Sequence, residues 1–106
     1  MTAGIETTHP TGLAELAGRL RRAESEGVAI EPIRDALAEG GVAAAYAVQR
    51  ANEDAWIAEG RRVVGRKIGL TSKAVQAQMG VDQPDFGVLF ADMCLADGEM
   101  LAAGEV

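Results

Sequence analysis

Apolar side chains recur at helical spacing through the first half of the chain. After Thr11, four of them repeat every three to four residues: Leu13, Leu16, Ala17 and Leu20. This period places them on one face of an amphipathic helix, with Glu15 and Arg19 on the polar side. Thr11 is a residue type that caps helix N-termini, and Gly27 is a type that ends helices. We therefore predict a first helix over residues 11–27.

Two further helices are predicted before residue 60. The first is short: it opens at Pro32, whose fixed φ suits a first helical turn, carries apolar residues inward and stops at Gly40. Its inward residues are Ile33 and Leu37. The second begins near residue 42 and ends near residue 60. Its inward face is a stripe of mostly small side chains, Ala44, Ala45, Val48, Ala51 and Ala55, which allows another element to approach closely.

The pattern changes to strand periodicity over residues 62–70. One face carries Val64, Arg66, Ile68 and Leu70, and the other carries Gly65, Lys67 and Gly69. We expect the three apolar residues of the first face to be more buried than Arg66. On the second face, glycines on both sides of Lys67 weaken the strand, so they indicate that a ligand or another backbone approaches the surface around the lysine.

A short helix is predicted after this strand. Ser72 can cap its N-terminus, Val75 and Met79 mark its apolar side, and Gly80 ends it. By default, methionines at such positions fill the core.

The last part of the chain alternates between turns and strands. Residues 81–87 are rich in turn formers and predict a loop, and residues 88–93 predict a second strand. Asp97-Gly98 is typical of a two-residue type I′ hairpin turn, which would lead into a third strand at 99–102. Helices followed by strands, without repeats, predict one α+β unit.

Charge and composition narrow the functional classes. Ten Lys and Arg residues against sixteen Asp and Glu give a net charge of −6, which argues against a nucleic-acid partner. No apolar run approaches the roughly 20 residues needed to span a bilayer, and residues 1–10 lack the features of a secretory signal. We therefore expect a cytoplasmic protein that binds no membrane. The single cysteine, Cys94, is expected to be a small core residue.

Few residues carry candidate chemistry. The chain has no phosphate-binding glycine loop, no nucleophile elbow and no paired histidines on a helix. Lys67 between its glycines remains, together with Asp82 and Asp85 in the proline-containing loop. Taken alone, a strand lysine is more often a solvated charge, and an aspartate beside proline is more often a turn former.

Two runs change this assessment, VVGRKIGLTS at 63–72 and VDQPDFGVLFADM at 81–93. They closely resemble the 2-keto-4-pentenoate hydratases of the fumarylacetoacetate hydrolase superfamily. Looser similarity at 16–22, 32–35 and 44–49 extends the resemblance over most of the chain.

The resemblance implies an activity and a site. The family adds water to 2-hydroxypenta-2,4-dienoate, giving 4-hydroxy-2-oxopentanoate, in aromatic-compound catabolism, with a bound Mg²⁺ or Mn²⁺. Lys67 and Asp85 match its active-site lysine and aspartate, and we expect their side chains to share one concavity. Ser72, Arg66 and Asp82 match the pattern too, and only supporting roles are implied for them. The substrate is thus expected to be a small 2-hydroxy-dienoate or 2-oxo acid, and the protein a homo-oligomer.

The sequence departs from the family pattern at its end. The family's carboxylate metal ligands form a Glu-x-Glu pattern that lies beyond the position of Val106, and Glu105 does not match it. The resemblance therefore implies the N-terminal part of a truncated mixed β-roll: a flexible tail at 1–10, a helical region at 11–60 and the incomplete start of a catalytic domain at 61–106. We expect this chain alone to be inactive and to bind divalent metal weakly.

Two other interpretations stay open from the sequence. The related 2-oxo-3-enedioate decarboxylases, of 4-oxalocrotonate type, share much of the pattern. A non-catalytic assembly or regulatory fragment, pairing with a relative through exposed strand edges, is the alternative from another class.

Overall fold

The structure of the protein, a computed structural model, describes residues 9–103. Its elements in chain order are α1 (His9–Glu26), α2 (Arg34–Leu37), α3 (Gly41–Ala58), β1 (Val63–Gly69), α4 (Lys73–Met79), β2 (Asp85–Phe90) and a 3₁₀ turn (Ala91–Met93). The predicted α+β class is confirmed. Predictions for residues 1–8, Glu105 and Val106 lie outside the described residues.

The described residues form two compact units. The first runs to Trp56 and includes residues 102–103, and the second runs from Ile57 to Leu101. No helix between residues 9 and 103 has both the length and the apolar character that crossing a membrane requires.

The core of the first unit is built from the apolar faces predicted for its helices. Leu16, Ala17 and Val48 are buried, and five partly buried residues pack against them: Leu13, Leu20, Ile33, Leu37 and Ala51. Helix α1 begins at His9, two residues earlier than predicted, and ends before Gly27, whose φ of 68° is the left-handed conformation that glycine adopts readily.

Helix α2 is shorter than predicted and covers four residues, Arg34–Leu37. Pro32 lies before it rather than in its first turn. The residue at the N-cap is Ile33, which has no side-chain acceptor for the free backbone N–H groups, and no capping hydrogen bond forms there. The segment is held by the packing of Ile33 and Leu37 instead.

The inward face of α3 contains a polar residue that the sequence pattern did not single out. Asn52 is buried, and its side-chain oxygen accepts a hydrogen bond of 2.8 Å from Arg21 of α1. Ala45, predicted to face inward, is exposed. The pair satisfies a polar group that would be costly to bury alone, so it fixes α1 against α3.

Strands β1 and β2 of the second unit pair antiparallel, with Lys67 opposite Gly87 and Gly69 opposite Asp85. The prediction of a loop at 81–87 and a strand at 88–93 was wrong by three residues, because β2 starts at Asp85 and ends at Phe90. Residues 85–87 complete the ladder with the end of β1, and a 3₁₀ turn follows Phe90.

The predicted hairpin at Asp97-Gly98 is a turn without a following strand. The Glu99 N–H donates to the Ala96 carbonyl at 3.0 Å, and Gly98 has a φ of 83°. Asp97 does not have the positive φ that a type I′ turn requires at both central residues. The sheet within residues 9–103 therefore has two strands.

Several residues expected in the core are exposed. Val64, Ile68 and Leu70 were predicted to be buried more deeply than Arg66. Leu70 is half-buried and Arg66 is exposed, whereas Val64 and Ile68 are 45% and 60% exposed. Val64 lies at a β-bulge, where the strand pairing is irregular. A sheet of two strands is also small, so it buries little of the apolar surface on its faces. Met79 and Cys94 are also exposed.

The connection from β1 to α4 depends on a buried amide. Leu70 has a φ of 53°, an uncommon conformation for a residue with a branched side chain. The Gln76 side chain is buried and donates a hydrogen bond of 2.8 Å to the Leu70 carbonyl. Ser72 caps α4 as predicted, because its hydroxyl accepts from the Val75 N–H at 3.1 Å. Gly80, with a φ of 78°, ends the helix.

We predict that Gln76→Ala lowers the free energy of unfolding by about 1–3 kcal/mol, because it leaves the Leu70 carbonyl without its donor at a strained turn. Gln78→Ala, on the exposed side of the same helix, is the matched control and should change stability by less than about 0.5 kcal/mol. Urea unfolding followed by circular dichroism measures both variants. Equal losses would show that the hydrogen bond to Leu70 does not hold the turn.

Candidate functional site

The candidate site is built on one face of the β1–β2 pair. In an antiparallel ladder, directly opposed residues point to the same face. The register therefore groups six residues: Gly65, Lys67 and Gly69 from β1 with Leu89, Gly87 and Asp85 from β2. Lys67 is the cation of this face and Asp85 its anion, and glycines occupy three of the other four positions. The side chains around the lysine are consequently small.

Lys67 and Asp85 are in direct contact. The Lys67 ammonium donates a hydrogen bond of 3.0 Å to Asp85 Oδ2. Asp85 lies diagonally across from Lys67, two residues before Gly87 on β2. The lysine side chain therefore extends along the sheet to reach it. The two side chains therefore lie on one face of the sheet rather than on opposite faces, and that they line one concavity stays a prediction.

The contact is accessible to solvent. The side chains of Lys67 and Asp85 are 51% and 47% exposed. Ion pairs at this exposure contribute little to stability, about 0–1 kcal/mol, because water and salt screen them. Its interest is chemical: an ammonium donor and a carboxylate acceptor are held within one hydrogen bond of each other, and both remain open to solvent.

The other residues singled out from the sequence lie elsewhere. Ser72 caps α4. Arg66 lies on the opposite face of the sheet, across from Val88, and is exposed. Asp82 is exposed in the bend before β2. Gly87 and Gln76 were not identified from the sequence, because Gly87 falls in the predicted loop and no sequence signal distinguishes Gln76 from Gln78.

No group of three or more histidine, cysteine, aspartate or glutamate side chains within residues 9–103 converges on a point where it could hold a metal ion. At the candidate site, the nearest acid is Asp85, and the Lys67 ammonium 3.0 Å away would repel a cation. The described residues therefore do not fit a metal centre by themselves.

A second ion pair closes the end of the strand pair where β1 begins and β2 ends. Arg61 binds the Asp92 carboxylate through two hydrogen bonds, both of 2.7 Å, and its guanidinium lies 4.2 Å from the centre of the buried Phe90 ring. The hydrogen bond from Arg61, and then its charge, lower the pKa of the Asp92 carboxyl below its ordinary value. The ladder is also extended by the Ala91 N–H, which donates to the Arg62 carbonyl at 2.8 Å.

Comparison with known proteins shows extensive sequence similarity to hydratases. The chain is 62% identical over 90 residues, or 85% of its length, to 2-keto-4-pentenoate hydratase 1 of Dechloromonas aromatica (strain RCB). It is 47% identical over 102 residues, or 96% of its length, to the TodF product hydratase of Pseudomonas putida F1. These alignments cover 34% and 38% of the two hydratases, so the chain spans about a third of their length. No family model matches the chain.

A solved structure matches the fold. The 4-oxalocrotonate decarboxylase from Pseudomonas putida G7, complexed with magnesium and adipate, matches with a TM-score of 0.71 and 35% sequence identity. The match covers 81% of this chain and 33% of the decarboxylase. The same decarboxylase complexed with calcium and acetate matches equally well.

The lowered pKa of Asp92 predicts a pH dependence of stability. A carboxyl whose pKa is lower in the folded than in the unfolded state stabilises the fold above its unfolded pKa, and this contribution disappears as the pH falls through the folded pKa. Asp92→Asn should therefore lower stability at neutral pH and flatten the loss of stability in acid, and the difference should shrink at high ionic strength.

Thermal unfolding of both proteins from neutral to acidic pH measures this effect. Asp54→Asn, which removes an exposed carboxylate of α3, is the control and should preserve the acid dependence. An unchanged acid dependence in Asp92→Asn would contradict the assignment of the pair with Arg61.

Proposed function

Because the chain is related in sequence to the 2-keto-4-pentenoate hydratases over most of its length, we propose that it is a portion of an enzyme of that kind. The whole enzyme would be a hydro-lyase that adds water to 2-hydroxypenta-2,4-dienoate to give 4-hydroxy-2-oxopentanoate. This chain corresponds to about a third of such an enzyme, and on this proposal the remaining two thirds complete the pocket.

The contact between Lys67 and Asp85 is the observation that carries the proposal. Hydration of a dienol requires a group that stabilises the negative charge of the substrate and a group that moves a proton. The Lys67 ammonium supplies positive charge and three N–H donors, and Asp85 accepts one of them. In the proposed reaction, Lys67 holds the substrate's anionic oxygen or exchanges a proton at Nζ, and Asp85 keeps the ammonium oriented.

The metal is assigned to the part of the enzyme outside this chain. The structurally similar decarboxylase was solved with magnesium and with calcium, which supports a divalent cation in the complete protein. The described residues do not form a cage for it, and the role of Lys67 and Asp85 proposed above does not depend on contact with it. The β-roll of the fumarylacetoacetate hydrolase type, a homo-oligomeric state and a cytoplasmic location belong to the same proposal.

A decarboxylase acting on a 2-oxo-3-enedioate is the second candidate, because the matching solved structure is a decarboxylase. The sequence similarity favours hydration: the hydratases are 46–62% identical to this chain, whereas the decarboxylase is 35% identical. The two reactions differ in their products, since only the decarboxylase releases carbon dioxide.

The proposal predicts that a chimera is active. In this chimera, the chain replaces the matching third of the Dechloromonas aromatica hydratase, and the unmodified hydratase is the positive control. We expect the chimera to consume 2-hydroxypenta-2,4-dienoate, to release no carbon dioxide from 4-oxalocrotonate, and to require a divalent cation. The 106-residue chain alone is expected to show no turnover.

Lysine substitutions in the same chimera test the site. Lys67→Met should lower kcat/KM by about 100-fold or more, the usual contribution of a positioned proton donor or acceptor. Lys73→Met is the matched control, because Lys73 is the only other lysine of the chain and is exposed at the start of α4. Full activity in Lys67→Met would remove Lys67 from the mechanism.

A further inference from the structure

Gly87 lies directly under the lysine of the candidate site. It is the cross-strand partner of Lys67 in the β1–β2 ladder. The lysine side chain crosses it on the way to Asp85, which lies two residues earlier on the same strand. The position opposite the lysine is therefore covered by the lysine's own methylene groups.

A side chain at position 87 would collide with Lys67. A Cβ atom built on Gly87 would lie 2.9 Å from Lys67 Cε, 3.6 Å from Cγ and 3.7 Å from Nζ. Two carbon atoms are in favourable contact at about 3.5–4.0 Å, so the Cε would have to move. Gly87 does not have a positive φ, so its backbone conformation is open to other residues. A larger residue at position 87 would thus displace the flexible end of the Lys67 side chain rather than backbone.

The two glycines of β1 that flank Lys67 are under no such constraint. A Cβ at Gly65 would lie 3.6 Å from its nearest neighbour, Leu89 Cδ1, and a Cβ at Gly69 would lie 4.0 Å from Asp85 Oδ2. Both are ordinary van der Waals distances. Gly65, on the same face and the neighbouring strand, is thus a matched control for Gly87.

We propose that Gly87 is a positioning residue that allows the Lys67 side chain to lie flat on the sheet and so places its ammonium against Asp85. The catalytic consequence of this placement rests on the function proposed above. The placement itself does not, and it can be tested in the chain alone.

The test measures whether Lys67 senses Asp85. The chain has two lysines, so nitrogen-15 NMR of the side-chain Nζ atoms gives two signals, with Lys73 as an internal reference. Asp85→Asn removes the charge next to Lys67 and should shift its Nζ signal in the parent chain and in Gly65→Ala. In Gly87→Ala, the same substitution should leave the Lys67 signal unchanged. An equal shift in all three backgrounds would overturn the proposal.

If Gly87→Ala folds too poorly for NMR, a double-substitution cycle of stability with Lys67→Ala tests the proposal instead. If the added methyl group collides with the lysine, Lys67→Ala removes the obstacle, so the double variant should recover the stability lost by Gly87→Ala. Failure of Lys67→Ala to restore stability would mean that position 87 requires glycine for another reason, and would also overturn the proposal.

Turnover separates this inference from the proposed function. In the active chimera, Gly87→Ala should lower kcat by about 100-fold with little change in KM, as expected for a misplaced reacting group. Gly18→Ala, in helix α1 and outside the strand pair, should not, because an added Cβ there lies no closer than 3.7 Å to a neighbour. If Gly87→Ala abolishes the effect of Asp85→Asn on the Lys67 Nζ signal but leaves kcat unchanged, the role of Gly87 is supported and the catalytic role of Lys67 is contradicted. If Asp85→Asn still shifts the Lys67 Nζ signal in Gly87→Ala, the role of Gly87 is contradicted whatever the activity.

Discussion

The register of the two strands is the constraint on which the candidate site depends. Lys67 faces Gly87, and Gly69 faces Asp85. A shift of one residue in either strand would move its side chains to the opposite face and separate the lysine from the aspartate. The 3.0 Å contact is thus a consequence of backbone pairing rather than of the weak attraction between two half-exposed charges.

The register is held by contacts at both ends of the pair. The strands are joined through α4 rather than by a tight turn, so no hairpin geometry fixes their alignment. At one end, the amide of Gln76 binds the carbonyl of Leu70, where the chain leaves β1 in a left-handed conformation. At the other end, Arg61 binds Asp92 and packs over Phe90. Local strain and a buried polar side chain therefore lie next to the candidate site.

Periodicity predicted the parts of the fold that local sequence controls. The apolar faces of α1 and α3, the span of β1 and the Ser72 cap follow from spacing and residue type. The limits of β2 did not, because Asp85 and Gly87 favour turns locally and enter the strand only through pairing with β1. For the site, the resemblance singled out Lys67 and Asp85, whereas the space at Gly87 depends on a contact between residues twenty positions apart.

The central claim is that Lys67 and Asp85 act as one unit. A double-substitution cycle in the active chimera, with Lys67→Met, Asp85→Asn and both together, measures this through kcat/KM. If the pair acts together, the double variant should lose no more activity than the more damaged single variant. Losses that multiply, so that the double variant is reduced by the product of the two single effects, would show that the residues act independently and would contradict the account.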